Sequence, residues 1–128
     1  MNRFLLDTNA VIALLGGNNQ LNDTLTDAKW VGISIITKLE FLSFPGITKA
    51  DVDLFSAFES RVEVIDITNA QMGLLKDVVR LKKTARIKLP DAIIVASAIA
   101  NKALLITADM LLLNQCPEQT QKLLPSDD

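Results

Sequence analysis

Histidine is absent from the 128-residue chain, and cysteine occurs once, at Cys116. Without an imidazole, Ser-His-Asp and Cys-His mechanisms are excluded, and so is RNA cleavage by a histidine acid–base pair. A single thiol allows neither an internal disulfide nor a zinc site built of thiolates. Any hydrolysis must therefore run on carboxylates, Lys, Ser/Thr or a metal-bound water. Long apolar runs are also missing. The longest candidate, Ala92 to Ala103, is interrupted by Ser97, Asn101 and Lys102, and falls short of the roughly 20 residues that span a membrane. Asp7 breaks the apolar stretch near the N-terminus, which argues against a signal peptide, so cytoplasmic residence without membrane contact is expected.

What is present suits one α/β domain over residues 1–128. Apolar residues make up 49% of the chain, enough for a core and a slight surplus that hints at a buried partner surface. The net charge is −2, which is unusual for a nucleic-acid binder. Its distribution is more informative. Six of the 13 basic residues (Lys76, Arg80, Lys82, Lys83, Arg86 and Lys88) crowd one segment opposed only by Asp77. A solvated helix face explains such a run, but its position just before Asp91 favours contact with phosphate, with Arg86 and Lys88 nearest.

Short apolar runs alternate with helical periodicities. Arg3–Leu6, Trp30–Ile35, Val62–Ile65 and Leu104–Thr107 read as strands. Helices are predicted over Thr8–Leu15, Gln20–Lys29, Thr37–Phe44, Thr48–Ser60, Thr68–Lys83, Pro90–Lys102 and Asp109–Leu113. The stripe Met72, Leu75, Val79 marks one face of the long helix, and the tail beyond Pro117 reads as polar and extended. Strands alternating with helices predict a parallel sheet between helical layers.

Four acids fall at strand ends or helix starts: Asp7, Glu40, Asp91 and Asp109. Each has a local explanation. Asp7 and Asp109 suit N-caps, Thr37 to Glu40 matches a capping box, and Asp91 after Pro90 complements a helix dipole. Jointly they fall where open α/β sheets bind ligands, beyond the carboxyl ends of strands. Two like charges ~5 Å apart repel by roughly 3 kcal/mol at an effective dielectric of 20. A converged cluster therefore holds a proton or a hard divalent cation, for which Mg2+ and Mn2+ suit all-oxygen ligands. With a basic patch beside it, such a cluster points to phosphodiester hydrolysis.

At these residues the sequence resembles the PIN-domain nucleases, especially the toxin subunits of VapBC-type toxin–antitoxin pairs. Phe4-Leu5-Leu6-Asp7-Thr8-Asn9 is similar to the family's first motif, and Ile33 through Glu40 to its second. Leu89-Pro90-Asp91 and the small and branched residues that follow, to Ala98, are similar to the third, the most specific of the set. Leu105-Ile106-Thr107-Ala108-Asp109 resembles the fourth. The resemblance implies an α/β/α sandwich with a central parallel sheet, and Mg2+- or Mn2+-dependent cleavage of RNA. It also implies a homodimer and inhibition by a cognate antitoxin. Asp7, Glu40, Asp91 and Asp109 would then form the acidic metal site, with Thr8, Asn9 and Thr107 as supporting or substrate-positioning groups.

The chain departs from that pattern twice. Leu111 and Leu112 stand where many members carry a further Asp-Phe, and the tail from Asn114 lacks the usual closing strand pattern, Leu123-Leu124-Pro125 being at most a remnant. Three other readings compete. A phosphorelay receiver needs an acceptor Asp at the end of the third strand and a Lys after the fifth. A haloacid-dehalogenase-like phosphatase needs a second Asp where Asn9 stands. A catalytically silent PIN-like module would only bind partners.

Overall fold

The computed structural model describes residues 2–126. Five strands form one all-parallel sheet: β1 (Arg3–Leu6), β2 (Trp30–Ser34), β3 (Glu63–Ile65), β4 (Leu104–Thr107) and β5 (Thr120–Lys122). The helices are α1 (Thr8–Leu15), α2 (Asn19–Thr26), α3 (Ile35–Leu42), α4 (Lys49–Glu59), α5 (Met72–Thr84), α6 (Leu89–Ala100) and α7 (Met110–Gln115). Side chains alternate across each strand, and the two faces of the sheet feed two cores. Phe4, Leu6, Ile33 and Ile106 pack with Val11 of α1, Leu21 of α2, Phe41 of α3 and Phe55 and Phe58 of α4. Leu5 and Leu105 pack on the other side with Leu74, Val78 and Leu81 of α5, with α6, and with Leu112 of α7. The result is the expected α/β/α sandwich.

The strand order is β3-β2-β1-β4-β5. The chain thus builds outward from β1 through β2 to β3, then returns to build β4 and β5 on the opposite side of β1. The order reverses between β1 and β4, and the carboxyl ends of those strands flank a crevice. Helix α6 lies against the sheet through six buried residues, most of them small: Ala92, Ile94, Val95, Ala96, Ser97 and Ala98. That close seat brings its N-terminal turn to the same crevice.

Several sequence expectations need correction. The tail does contain a closing strand: β5 pairs with β4 from Thr120 to Lys122, just ahead of the Leu123-Leu124-Pro125 segment. Helix α5 starts at Met72 rather than Thr68, because the Gln71 side chain accepts the Thr68 N–H and closes a turn there. Its buried face is Leu74, Val78 and Leu81, whereas Met72 and Val79 are exposed. Helix α3 begins two residues earlier than expected: Ser34, not a residue of a Thr37–Glu40 capping box, is its N-cap, accepting the Ile36 N–H at 3.1 Å.

Candidate active site

Asp7 follows β1 and caps α1. Its backbone N–H donates to the Ile106 carbonyl of β4 at 3.0 Å, which ties the two strands together at the crevice. The residue is 6% exposed, and both carboxylate oxygens are occupied. Oδ1 accepts the Thr8 N–H at 2.9 Å, and Oδ2 accepts the Thr107 hydroxyl at 2.7 Å and Asn9 Nδ2 at 3.3 Å. Thr107 in turn accepts the Asp109 N–H at 3.0 Å and Asn9 Nδ2 at 3.3 Å. One donated and two accepted bonds use the full capacity of a hydroxyl. Asn9 completes the lattice through Oδ1, which accepts the Ala108 N–H at 2.9 Å. The Thr8 N–H, Asn9 and Thr107 therefore hold the Asp7 carboxylate at the end of β1, and Thr107 accepts the Asp109 N–H just beyond β4.

Of the other three acids, Asp91 and Asp109 stand at helix starts and Glu40 lies in the second half of α3. Asp109 is the N-cap of α7, with Oδ1 accepting from Leu111 and Leu112 N–H groups at 2.9 and 3.3 Å. Glu40 projects from α3 and accepts the Thr8 hydroxyl at 2.6 Å through Oε1. Asp91 stands in the first turn of α6, half-buried, and makes no hydrogen bond among the described residues. The local explanations for Asp7 and Asp109 are correct, but they do not exhaust these residues, because Asp7 and Asp91 feel the charges of neighbouring carboxylates. Burial raises the Asp7 pKa despite its hydrogen bonds from Thr107 and Thr8, and Glu40 and Asp109 push it further. Burial also raises Asp91, to about 6, with repulsion from Asp7, Asp109 and Glu40 adding to it and Lys88 opposing.

Among the described residues, no group of three or more acidic or cysteine side chains is arranged to chelate a metal ion directly. The all-oxygen chemistry of these carboxylates would nonetheless fit Mg2+ or Mn2+. Mg2+ keeps several waters and needs only one or two direct carboxylates, with the rest of its shell supplied by water and substrate. Asp91 has both oxygens unengaged and Asp109 has Oδ2 unengaged among the described residues, and the mutual repulsion is of the kind a cation relieves.

The basic segment divides. Arg80 pairs with Asp77 at 3.1 Å, and its charge bears on the buried thiol of Cys116 rather than on the acids. Arg86 adopts a left-handed φ of 56°, turning the chain out of α5 so that Ile87 is buried and Lys88 precedes α6. Lys88 is the basic residue whose charge Asp91 feels. Arg86 has no hydrogen bond or ion pair among the described residues and stands one residue from Ile87. Two features were not anticipated from the sequence. One is a groove of about 310 Å³ between α1, α3 and α4, lined by Ile12, Leu15, Phe41, Phe44, Ile47 and Leu54. The other is an ion pair between Lys38 of α3 and Glu59 of α4 at 2.6 Å.

Topology decides against a receiver domain. Asp66 does follow β3, but β3 is the sheet edge, two strands from β1, and Asp66 is exposed. A receiver places β3 beside β1.

The family model described as PIN domain matches residues 4–113, from β1 through α7. The chain belongs to the PIN domain family. No curated protein matches it by sequence. Among solved structures, this PIN domain is similar to a chain of a toxin–antitoxin complex from Klebsiella pneumoniae, at 25% identity and a TM-score of 0.73, covering 97% of this chain and 98% of that one. It is also similar to a chain of VapBC-1 from nontypeable Haemophilus influenzae, with 24% identity, 94% and 97% coverage and a TM-score of 0.73. A chain of VapBC2 from Rickettsia felis, solved with a DNA fragment from its promoter, gives 20% identity, 95% and 99% coverage and a TM-score of 0.73. No helix among the described residues is long and apolar enough to cross a membrane.

Proposed function

We propose that this PIN domain is a Mg2+- or Mn2+-dependent endoribonuclease, the toxin of a toxin–antitoxin pair, acting in the cytoplasm as a homodimer until a cognate antitoxin restrains it. The observation that carries the reading is Asp91: half-buried, without a hydrogen bond among the described residues, and placed in the field of three further carboxylates. Asp7, Glu40, Asp91 and Asp109 are the residues that would hold the ion, which when bound would supply Lewis acidity and a water of lowered pKa. Thr107 and Asn9 hold Asp7 rigid, so its oxygens need not reorganise during the reaction. Glu40 is the exposed member of the four. It takes a proton from the attacking water at Oε2 while Oε1 stays bonded to Thr8. Lys88 and Arg86 donate to phosphate oxygens of the RNA.

The antitoxin assignment is supported by the toxin–antitoxin and VapBC complexes to which the fold is similar. The apolar groove of α1, α3 and α4 fits side chains of such a partner, and exposed Met72 and Val79 on α5 fit a second copy. The test is incubation of the purified protein, free of antitoxin, with several RNA classes in Mg2+ or in EDTA, beside Asp7→Asn. Cleavage that needs the metal and falls at least about 100-fold in the variant is expected. Metal-independent cleavage, or none that depends on the acid, refutes the reading.

A further inference from the structure

Helix α3 has only eight residues, and its rotation about its own axis decides where Glu40 points. Its inner face is held by packing without side-chain hydrogen bonds to other elements: Phe41 is buried, and Ile36 and Leu42 pack against the two cores. Thr37 is fully buried, yet its hydroxyl has no hydrogen-bond partner. Phe41 stacks on Phe55 of α4 with ring centroids 4.8 Å apart, a contact that tolerates sliding. Directional restraint comes from two polar contacts on opposite sides of the helix. Glu40 meets Thr8 of α1, and Lys38 Nζ donates to Glu59 Oε2 of α4 at 2.6 Å. Residues 38 and 40 lie roughly 200° apart on an α-helix. The Lys38–Glu59 pair is the one ion pair among the described residues that joins two elements, since the other two link neighbours within a helix.

We propose that Lys38 is a positioning residue: its bond to Glu59 sets the rotation of α3 and thereby holds the Glu40 carboxylate at the acidic pocket. The proposal rests on the nuclease reading given above. A partly exposed ion pair adds little to folding stability, so placement is its main effect. A turn of α3 by about 20° swings a side-chain tip lying ~6 Å from the axis through ~2 Å. Misplacement by about 1 Å costs on the order of 100-fold in rate.

A double-mutant cycle tests this with the full chain and Mg2+. Lys38→Met and Glu59→Gln are each expected to lower kcat by about 10- to 100-fold, with KM for RNA nearly unchanged. Lys38→Met added to Glu40→Gln is expected to cost no more than about twofold beyond Glu40→Gln alone, because both act through one carboxylate. The charge-swapped pair Lys38→Glu with Glu59→Lys restores most of kcat. Effects that multiply, a change confined to KM, or wild-type kcat in both single variants overturn the proposal. Should Lys38→Met fail to fold, Glu59→Gln takes its place in the cycle. Crystal structures of the same variants decide independently of activity: the Glu40–Thr8 hydrogen bond is lost if the proposal holds, and its retention overturns it. Failure of the wild type to cleave any RNA removes the nuclease reading and leaves this structural comparison to judge the tether.

Discussion

Replacing Asp91 by Asn should stabilise the metal-free protein while destroying its activity. In the folded chain the Asp91 carboxyl is raised from 3.8 to about 6, first by burial and then by Asp7, Asp109 and Glu40. The folded state therefore holds this proton more tightly than the unfolded state does, and ionising Asp91 opposes folding. The cost is absent below about pH 4, grows as pH rises, and is complete above about pH 6. A rise of that size corresponds to at most about 3 kcal/mol. Asp91 is only half-buried, so solvent screening reduces the figure to about 1 kcal/mol. Asn keeps the shape and removes the charge. Asp91→Asn is thus expected to melt about 3 °C higher than wild type near pH 8 in EDTA, and at the same temperature near pH 4. Circular dichroism melts at the two pH values read this directly. Millimolar Mg2+ should raise the wild-type melting temperature and leave the variant nearly unmoved. A variant no more stable than wild type near pH 8, or a gain that persists near pH 4, refutes the shared acidic pocket.

Thr107→Val removes the 2.7 Å donor to buried Asp7 and the acceptor of the Asp109 N–H. Urea unfolding should show a loss of about 1–3 kcal/mol, and a loss below the error of the fit would mean that Asp7 finds another donor. Phe44 lines the groove and is 54% exposed, so Phe44→Asp should weaken antitoxin binding at least about tenfold by isothermal titration. Unchanged affinity would remove the groove as the docking surface.

Much of the candidate site was legible because β1 and β4 are short apolar runs followed within two residues by an acid. What the sequence left open was whether Asp7 and Asp109 are caps or pocket members. Both are N-caps, because the junction from a strand to a helix creates orphan N–H groups, and the charge of Asp109 also bears on Asp7 and Asp91. Helix α5 misled because Met72, Leu75, Val79 and Leu74, Val78, Leu81 share nearly the same spacing, and periodicity cannot say which stripe meets the sheet. Strand β5 escaped notice because it is a three-residue edge strand with only Thr120 buried, too short to show alternation. Thr37 and Ser34 are both capping residue types, and where β2 ends decides between them. The Lys38–Glu59 contact spans 21 positions across the Pro45-Gly46 turn, and no local rule reaches that far. The basic run divides in the structure in a way its sequence does not show: Arg80 is engaged with Asp77, whereas the charge of Lys88 bears on Asp91.

The strand order has a consequence for synthesis. β1 is the first strand made, but its neighbour on one flank is β4, and the hydroxyl that grips Asp7 belongs to Thr107. While the chain is leaving the ribosome, Asp7 has no Thr107 to hold it and Asp109 has not yet been added. On the proposed reading, fragments that stop before Thr107 and Asp109 would lack two members of the site, so cleavage would begin only after both have been added.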